Sequence, residues 1–175
     1  TLYHGYKVKQ VTDQTGAALD FRRELDYVTV TRGGAAVEYL CLEYTGKSPK
    51  YYSSYAGVCL PANFAYYPIP GYRELFSDNF YGFIDCSLPY DTAFDVRCSG
   101  RKQMYCNLAA RGDNHFAGNA RSITLLSGYY DTLKLNDTLV VYPKYADKEI
   151  RARIKKNMGT FTKQHRDIPV SYTHL

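Results

Sequence analysis

Residues 27–44 have the sequence YVTVTRGGAAVEYLCLEY, in which two runs of β-branched and aromatic residues flank a glycine pair. The first run, YVTVT over residues 27–31, alternates with the period of two that is typical of a half-buried strand. The second run, VEYLCLEY over residues 37–44, has a similar character, and Gly33-Gly34 breaks the chain between them. This stretch therefore predicts two β-strands separated by a break.

The remainder of the chain continues this pattern. Further short runs of the same kind predict strands over residues 56–60, 80–88, 93–98, 103–109, 122–127 and 138–145. The last run is predicted to continue after a bend through residues 148–154. One short helix is predicted over residues 16–26 (GAALDFRRELD), with Thr15 as its N-cap. About seven or eight short strands with irregular loops predict an all-β fold, a jelly-roll β-sandwich with one short helix.

The composition is that of a globular protein with many aromatic side chains. Hydrophobic residues make up 45% of the 175 residues and charged residues 22%, which argues against disorder. The 19 Tyr and 8 Phe favour strands, and tyrosine is also enriched at protein interfaces. No apolar run approaches the roughly 20 residues that cross a bilayer, so no membrane span is predicted.

The sequence contains none of the short motifs that mark common catalytic sites, such as a nucleophile elbow, a P-loop or a zinc-binding HExxH. The five cysteines are odd in number and lack C-x-x-C spacing, so neither a disulfide framework nor a zinc site is predicted. A nucleophile–base pairing of Cys59 or Cys106 with His115 has no support beyond the residue types. We therefore predict that the chain is not an enzyme and that it binds no cofactor or metal.

The net positive charge lies in one C-terminal segment. Residues 144–166 contain eight lysines and arginines but only two acids, Asp147 and Glu149, whereas the rest of the chain carries a net charge of −1. Such a segment is suited to phosphates or to an acidic neighbouring protein, and a solvated terminal strand and tail has the same composition. No aromatic ladder suited to single-stranded nucleic acid runs through it.

The tripeptide Arg111-Gly112-Asp113 lies in a polar stretch, ARGDNHFAGNA. It is an integrin-type motif, in which a flexible glycine holds one cation and one anion apart. Three-residue matches arise easily by chance, so an ordinary turn is the favoured interpretation. We predict that this segment is an exposed, mobile loop and a candidate receptor-binding loop.

Three segments together resemble the capsid proteins of picornavirus-like RNA viruses. Residues 19–30 (LDFRRELDYVTV) resemble the family's short helix that leads into a strand. Residues 85–96 (DCSLPYDTAFDV) resemble a strand end followed by an extended segment, and residues 136–154 (NDTLVVYPKYADKEIRARI) resemble the final jelly-roll strand with its Arg-bearing exit. The order and rough spacing of the segments fit as well. The best match is the subunit around the five-fold axes, although few residues precede the first segment.

The resemblance implies a structural subunit of an icosahedral capsid, located in the virion and, during assembly, in the host cytoplasm. It implies a jelly-roll domain over residues 1–155 and a C-terminal tail over residues 156–175. The implied partners are other capsid subunits and a candidate host receptor, with only weak or indirect RNA contact. The residues expected to contact neighbouring subunits are Tyr51, Tyr52, Tyr55, Tyr66, Tyr67, Tyr72, Arg151, Arg153, Lys155 and Lys156.

Two other interpretations are compatible with the sequence. A β-sandwich module that binds carbohydrate or protein is the first alternative, because tyrosine-rich loops also suit sugar stacking. A small nucleic-acid-binding β domain that uses the basic C-terminal segment is the second.

Overall fold

The computed structural model describes most of the chain, namely residues 1–34, 36–71, 86–135, 138–145 and 147–167. The described residues form twelve strands, one 3-10 helix and one α-helix, so the fold is mostly β, as the sequence predicts. The chain divides into two compact units, Thr1–Ser127 and Gly128–Leu175. No helix in the described part has the length and apolar character needed to cross a bilayer.

Ten strands begin in the first unit, together with a short 3-10 helix at Lys50–Tyr52. They are β1 (Tyr6–Thr12), β2 (Phe21–Glu24), β3 (Tyr27–Val30), β4 (Cys41–Gly46), β5 (Gly57–Leu60), β6 (Thr92–Arg97), β7 (Met104–Cys106), β8 (Ala109–Gly112), β9 (His115–Ala120) and β10 (Leu125–Gly128). The pairs β1–β4, β2–β3, β6–β9, β8–β9 and β7–β10 are antiparallel.

The helix predicted over residues 16–26 is wrong, because part of this segment is the β2 strand of a hairpin with β3. Thr15 does not cap a helix, since both its N–H and its hydroxyl donate to the Asp13 carboxylate in a local turn. Phe21 then pairs with Val30, and the pairing continues to the tight turn. At that turn Leu25 has a φ of 46°, which a helix cannot contain. Pairing with the β-branched β3 therefore outweighs the local helical propensity.

Several predicted strands have different limits in the structure. β4 begins only at Cys41, so the residues from Val37 to Leu40 lie outside it. The run over residues 103–109 is divided into β7 and the start of β8 by Asn107. The Asn107 amide accepts a hydrogen bond from the Thr124 N–H and donates one to the Ser122 carbonyl, replacing ladder bonds at that point. Most of the run over residues 80–88 lies outside the described residues.

The later strands of the first unit form two three-stranded sheets with related orders. One sheet has the order β5-β10-β7 and the other has the order β6-β9-β8. From β5 to β8 the chain alternates between the two sheets. After the tight turn between β8 and β9, the chain places β9 between β6 and β8, and then β10 between β5 and β7. Strands distant in sequence are therefore hydrogen-bonded neighbours in both sheets.

An aromatic core stabilises the beginning of the chain. Leu2, Tyr6 and Phe64 are buried, and the Phe64 ring lies 5.0 Å from the Tyr3 ring and 4.5 Å from the Tyr52 ring. Offset and edge-to-face ring pairs at such distances add to the hydrophobic gain from burial. A second cluster contains Ala65, Ile69, Cys86 and Leu88.

The second unit contains a hairpin and a helix. β11 (Tyr130–Leu135) pairs with β12 (Thr138–Pro143), and α1 (Lys148–Asp167) follows. The strand predicted over residues 148–154 is therefore wrong. Asp147 caps the helix, because its carboxylate accepts the Ile150 N–H at 2.7 Å. The domain boundary expected after residue 155 falls within α1, and the apolar tail beyond Asp167 lies outside the described residues.

Among residues 128–134, 139–145 and 147–160 of the second unit, no hydrophobic side chain is buried. All the buried hydrophobic residues of the described chain lie between Leu2 and Ile123. In contrast, four large side chains of this unit are between 45% and 63% exposed: Tyr129, Leu139, Tyr145 and Ile150. The hairpin and the beginning of the helix therefore present exposed apolar side chains.

Candidate functional site

Two of the six candidate contact tyrosines, Tyr51 and Tyr55, are well exposed. Tyr51 is 76% exposed and Tyr55 is 75% exposed. Tyr51 lies in the 3-10 helix Lys50–Tyr52, and Tyr55 precedes β5 in the next turn. Both therefore present an apolar ring and a polar hydroxyl at the surface, the combination favoured at protein interfaces.

Tyr52 lies on the inner side of the same short helix. Its ring packs against Phe64, and burial raises the pKa of its hydroxyl to about 12, with the nearby Tyr51 contributing. The placement gives Tyr52 a role in packing, which the sequence could not distinguish from contact with a partner. Tyr72 lies outside the described residues.

Tyr66 and Tyr67 hold the backbone of one buried residue. The Tyr66 hydroxyl donates to the Ile123 carbonyl at 3.0 Å, and the Tyr67 hydroxyl accepts the Ile123 N–H at 3.3 Å. Ile123 lies between β9 and β10, where no ladder satisfies its polar groups. Burial raises the pKa of both tyrosine hydroxyls. The structure thus engages both side chains inside the unit.

The segment Arg111-Gly112-Asp113 is exposed, as predicted, and forms the end of a hairpin. β8 ends at Gly112 and β9 begins at His115, so Asp113 and Asn114 make the turn. Asn114 has a φ of 51°, a left-handed conformation that asparagine tolerates better than most residues. The geometry separates the Arg111 and Asp113 side chains along a strand-and-turn structure, whereas the sequence predicted a loop.

A small charged cluster lies beside this hairpin. The Asp95 carboxylate is 2.9 Å from the His115 Nε2 and 3.1 Å from the Arg97 Nε. The hydrogen bond from His115, followed by that from Arg97, lowers the pKa of Asp95. His115 is therefore oriented by Asp95 on the sheet surface.

The four candidate basic residues do not have equivalent surroundings. Arg151 is held inside its own unit: it donates to the Lys144 carbonyl at 2.6 Å, lies 3.5 Å from the Asp131 carboxylate and has its guanidinium 5.9 Å from the centre of the Tyr142 ring. Arg153, Lys155 and Lys156 are exposed on α1. The expectation that all four extend from a last strand is wrong, because they lie on a helix.

Burial makes three of the five thiols harder to deprotonate. Burial raises the pKa of the Cys59, Cys98 and Cys106 thiols, which disfavours the reactive thiolate. Among the described residues, no group of three or more His, Cys, Asp or Glu side chains is arranged to hold a metal ion.

The chain matches no protein-family model, no curated protein and no solved structure. Its function is therefore inferred from its own geometry.

Sequence reasoning missed the apolar surface of the second unit and the helix beside it. The signal for the helix was present: an N-cap acid at Asp147, an acid in the first turn at Glu149, and apolar residues spaced four apart at Ile150, Ile154 and Met158. The exposure of Tyr129, Leu139 and Tyr145 had no comparable signal, because it depends on tertiary packing.

Proposed function

We propose that the chain is a structural subunit of an icosahedral RNA-virus capsid, in which neighbouring subunits complete its second unit. The observation that carries the proposal is that no hydrophobic side chain is buried within residues 128–134, 139–145 and 147–160 of that unit. An isolated two-stranded hairpin is at best marginally stable in water. Contact with a partner chain would supply the missing burial.

The exposed side chains provide enough free energy to matter. Fully burying a large apolar side chain contributes roughly 1.5–3 kcal/mol. Leu139 and Ile150 are 55% and 45% exposed, and Tyr129 and Tyr145 are 50% and 63% exposed. A subunit contact that covers these four side chains would therefore contribute several kcal/mol, before the cost of association is subtracted.

The strand orders support a jelly roll as the fold of this subunit. In a jelly roll, the chain winds between two sheets, and its later strands return between earlier ones. The orders β5-β10-β7 and β6-β9-β8 follow this pattern. We propose that the two sheets are the layers of a shortened roll, because the tight turn between β8 and β9 leaves no room for further strands there.

The remaining surfaces fit the same role. Tyr51 and Tyr55 are proposed to contact adjacent subunits, and the hairpin end at Arg111-Gly112-Asp113 is proposed to face a host receptor. In this proposal the protein resides in the virion and, during assembly, in the host cytoplasm.

The proposal is tested by removing apolar surface from the second unit. We expect the double variant Leu139→Ser/Ile150→Ser, expressed from the native coding region, to lose most of its sedimenting particles. A matched control, Leu25→Ser/Leu40→Ser, removes two exposed side chains of the first unit, which are 75% and 42% exposed. The control should assemble normally. Equal assembly of both variants would contradict the proposal.

A carbohydrate-binding β-sandwich is the second candidate, favoured by the exposed rings of Tyr51 and Tyr55. It predicts glycan binding by the monomer that is lost in Tyr51→Ala/Tyr55→Ala. Glycan-array screening of wild type and variant separates the two functions, because the capsid proposal requires no such binding.

A further inference from the structure

The exposed surface of α1 carries several positively charged side chains close together. Lys148, Arg153, Lys155 and Lys156 are all exposed. Within the described part of the chain, none of the four forms an ion pair, and Glu149 is the acid among them. This surface, called the basic face below, includes three of the residues that the sequence assigned to subunit contacts.

The helix has two different sides. Ile154 and Met158 are half-buried, and Arg151 is fixed to the hairpin by Asp131 and the Lys144 carbonyl. At 100° per residue these three positions fall within 60° of one another on the helix surface. By the same measure the four cations lie at about 40° (Lys155), 60° (Lys148), 140° (Lys156) and 200° (Arg153) from Arg151. They therefore spread over about 160° of the helix surface, and each is at least about 100° from Ile154.

The spacing of the charges suits a polyanion. The positions from Lys148 to Lys156 span about 12 Å of helix, because each residue adds about 1.5 Å. Four exposed cations within that length form a concentrated positive charge, which attracts the closely spaced phosphates of a nucleic acid.

The side chains between these cations disfavour a protein partner. Within the arc that carries the cations, the other exposed residues are Glu149, Ala152, Gly159 and Thr160, whereas the exposed Ile150 lies outside it, about 60° beyond Arg153. Stable protein interfaces require aromatic or aliphatic anchors at their centre and are depleted in lysine. A membrane surface is disfavoured too, because an interfacial helix needs a broad exposed apolar face, whereas Ile154 and Met158 are half-buried and Ile150 stands apart from the cations.

We infer that the basic face of α1 binds the phosphate backbone of nucleic acid, without sequence preference. Lys148, Arg153, Lys155 and Lys156 make the contacts, while Arg151 positions the helix. This role goes beyond that of a shell subunit and does not depend on it. It differs from the expectation from sequence, which assigned Arg153, Lys155 and Lys156 to subunit contacts and only a weak or indirect contact to RNA.

The test measures binding of a fluorescent single-stranded RNA of mixed sequence to the full-length chain by anisotropy, over a range of salt concentrations. The variant Arg153→Gln/Lys155→Gln/Lys156→Gln removes three charges from the basic face. The control Arg32→Gln/Lys47→Gln/Lys50→Gln removes one arginine and two lysines that are exposed elsewhere. A second variant, Arg153→Lys/Lys155→Arg/Lys156→Arg, retains the charge.

Loss of three phosphate contacts lowers the slope of log affinity against log salt by about 2 and weakens binding up to about 50-fold near 0.15 M salt. We expect both effects in the Gln variant. The matched control should weaken RNA binding by less than about 3-fold, and the charge-retaining variant should bind RNA nearly as tightly as wild type. Circular dichroism should show the same helix content in all four proteins.

Three results would overturn the inference. The first is an equal loss of RNA affinity in the Gln variant and the matched control, which would show that RNA binding depends only on the net charge of the chain. The second is loss of binding in the charge-retaining variant. The third is binding to another partner at least as tightly as to RNA. Such binding to poly-glutamate would assign the face to an acidic protein, and such binding to phosphatidylserine vesicles would assign it to a membrane.

Discussion

The hydrogen bonds that Tyr66 and Tyr67 make with the Ile123 backbone, called the Ile123 clamp below, allow a test of which tyrosines are structural. Replacing Tyr66 by Phe keeps the ring but removes the hydroxyl that donates to the Ile123 carbonyl. Ile123 is only 6% exposed, so solvent cannot readily take over this bond. An orphaned buried carbonyl costs about 1–3 kcal/mol, and Tyr66 is itself half-buried, so we expect the lower part of that range, about 1–2 kcal/mol.

Thermal unfolding followed by circular dichroism measures this effect. A loss of about 1–2 kcal/mol should lower Tm by about 2–8 °C in a chain of this size. Tyr51→Phe is the matched control, because Tyr51 is 76% exposed, and it should change stability by less than about 0.5 kcal/mol. Tyr67→Phe removes the acceptor for the Ile123 N–H and should also destabilise. Equal Tm values for Tyr66→Phe and Tyr51→Phe would refute the clamp.

Three further predictions concern pH, the helix cap and the exposed hairpin. Burial raises the pKa of the Tyr52 hydroxyl to about 12, whereas in the unfolded chain the same hydroxyl ionises near its ordinary pKa of 10.0. The stability that the buried, neutral Tyr52 contributes is therefore complete below pH 10.0 and should be lost as the pH rises to about 12, which a falling urea midpoint would show. Asp147→Ala should cost about 0.5–2 kcal/mol by removing the N-cap, with lower helical ellipticity, and Asp147→Asn should retain most of it. In the hairpin, Asn114→Val should cost about 1–2 kcal/mol because φ is 51°, whereas Asp113→Ala should be nearly neutral, as denaturant titration of both variants would show.

Local pattern predicted the strands better than it predicted their partners. The runs at residues 27–31 and 56–60 became β3 and β5, because alternation and β-branching suit a pleated surface wherever it lies. The run at residues 16–26 has helical propensity, but its neighbour β3 offers a complete antiparallel ladder. That competition is decided by tertiary pairing, which propensity does not contain.

The basic segment shows the reverse error. Its apolar residues at Ile150, Ile154 and Met158 repeat every four positions, yet the adjoining run at residues 138–145 suggested that one strand continued. Asp147 caps a new helix, so the chain does not continue as a strand beyond the hairpin. The change matters for function, because the helix holds the cations from Lys148 to Lys156 within about 12 Å, whereas an extended strand of the same residues would span about 26 Å.

The candidate contact residues were identified by type, and only the fold could sort them. Tyr51, Tyr52, Tyr66 and Tyr67 are alike in sequence, but one is exposed, one packs on Phe64 and two hold the Ile123 backbone. Tyrosine suits both environments, since its ring can be buried while its hydroxyl finds a partner.

The measurement that tests the central claim most directly is electron microscopy of the protein purified after expression from its native coding region. The account predicts closed particles of uniform size, in which the second unit contacts a neighbouring subunit through Leu139 and Ile150. A protein that remains monomeric at high concentration, with the hairpin's amide hydrogens as protected as those of β6 and β9, would contradict it.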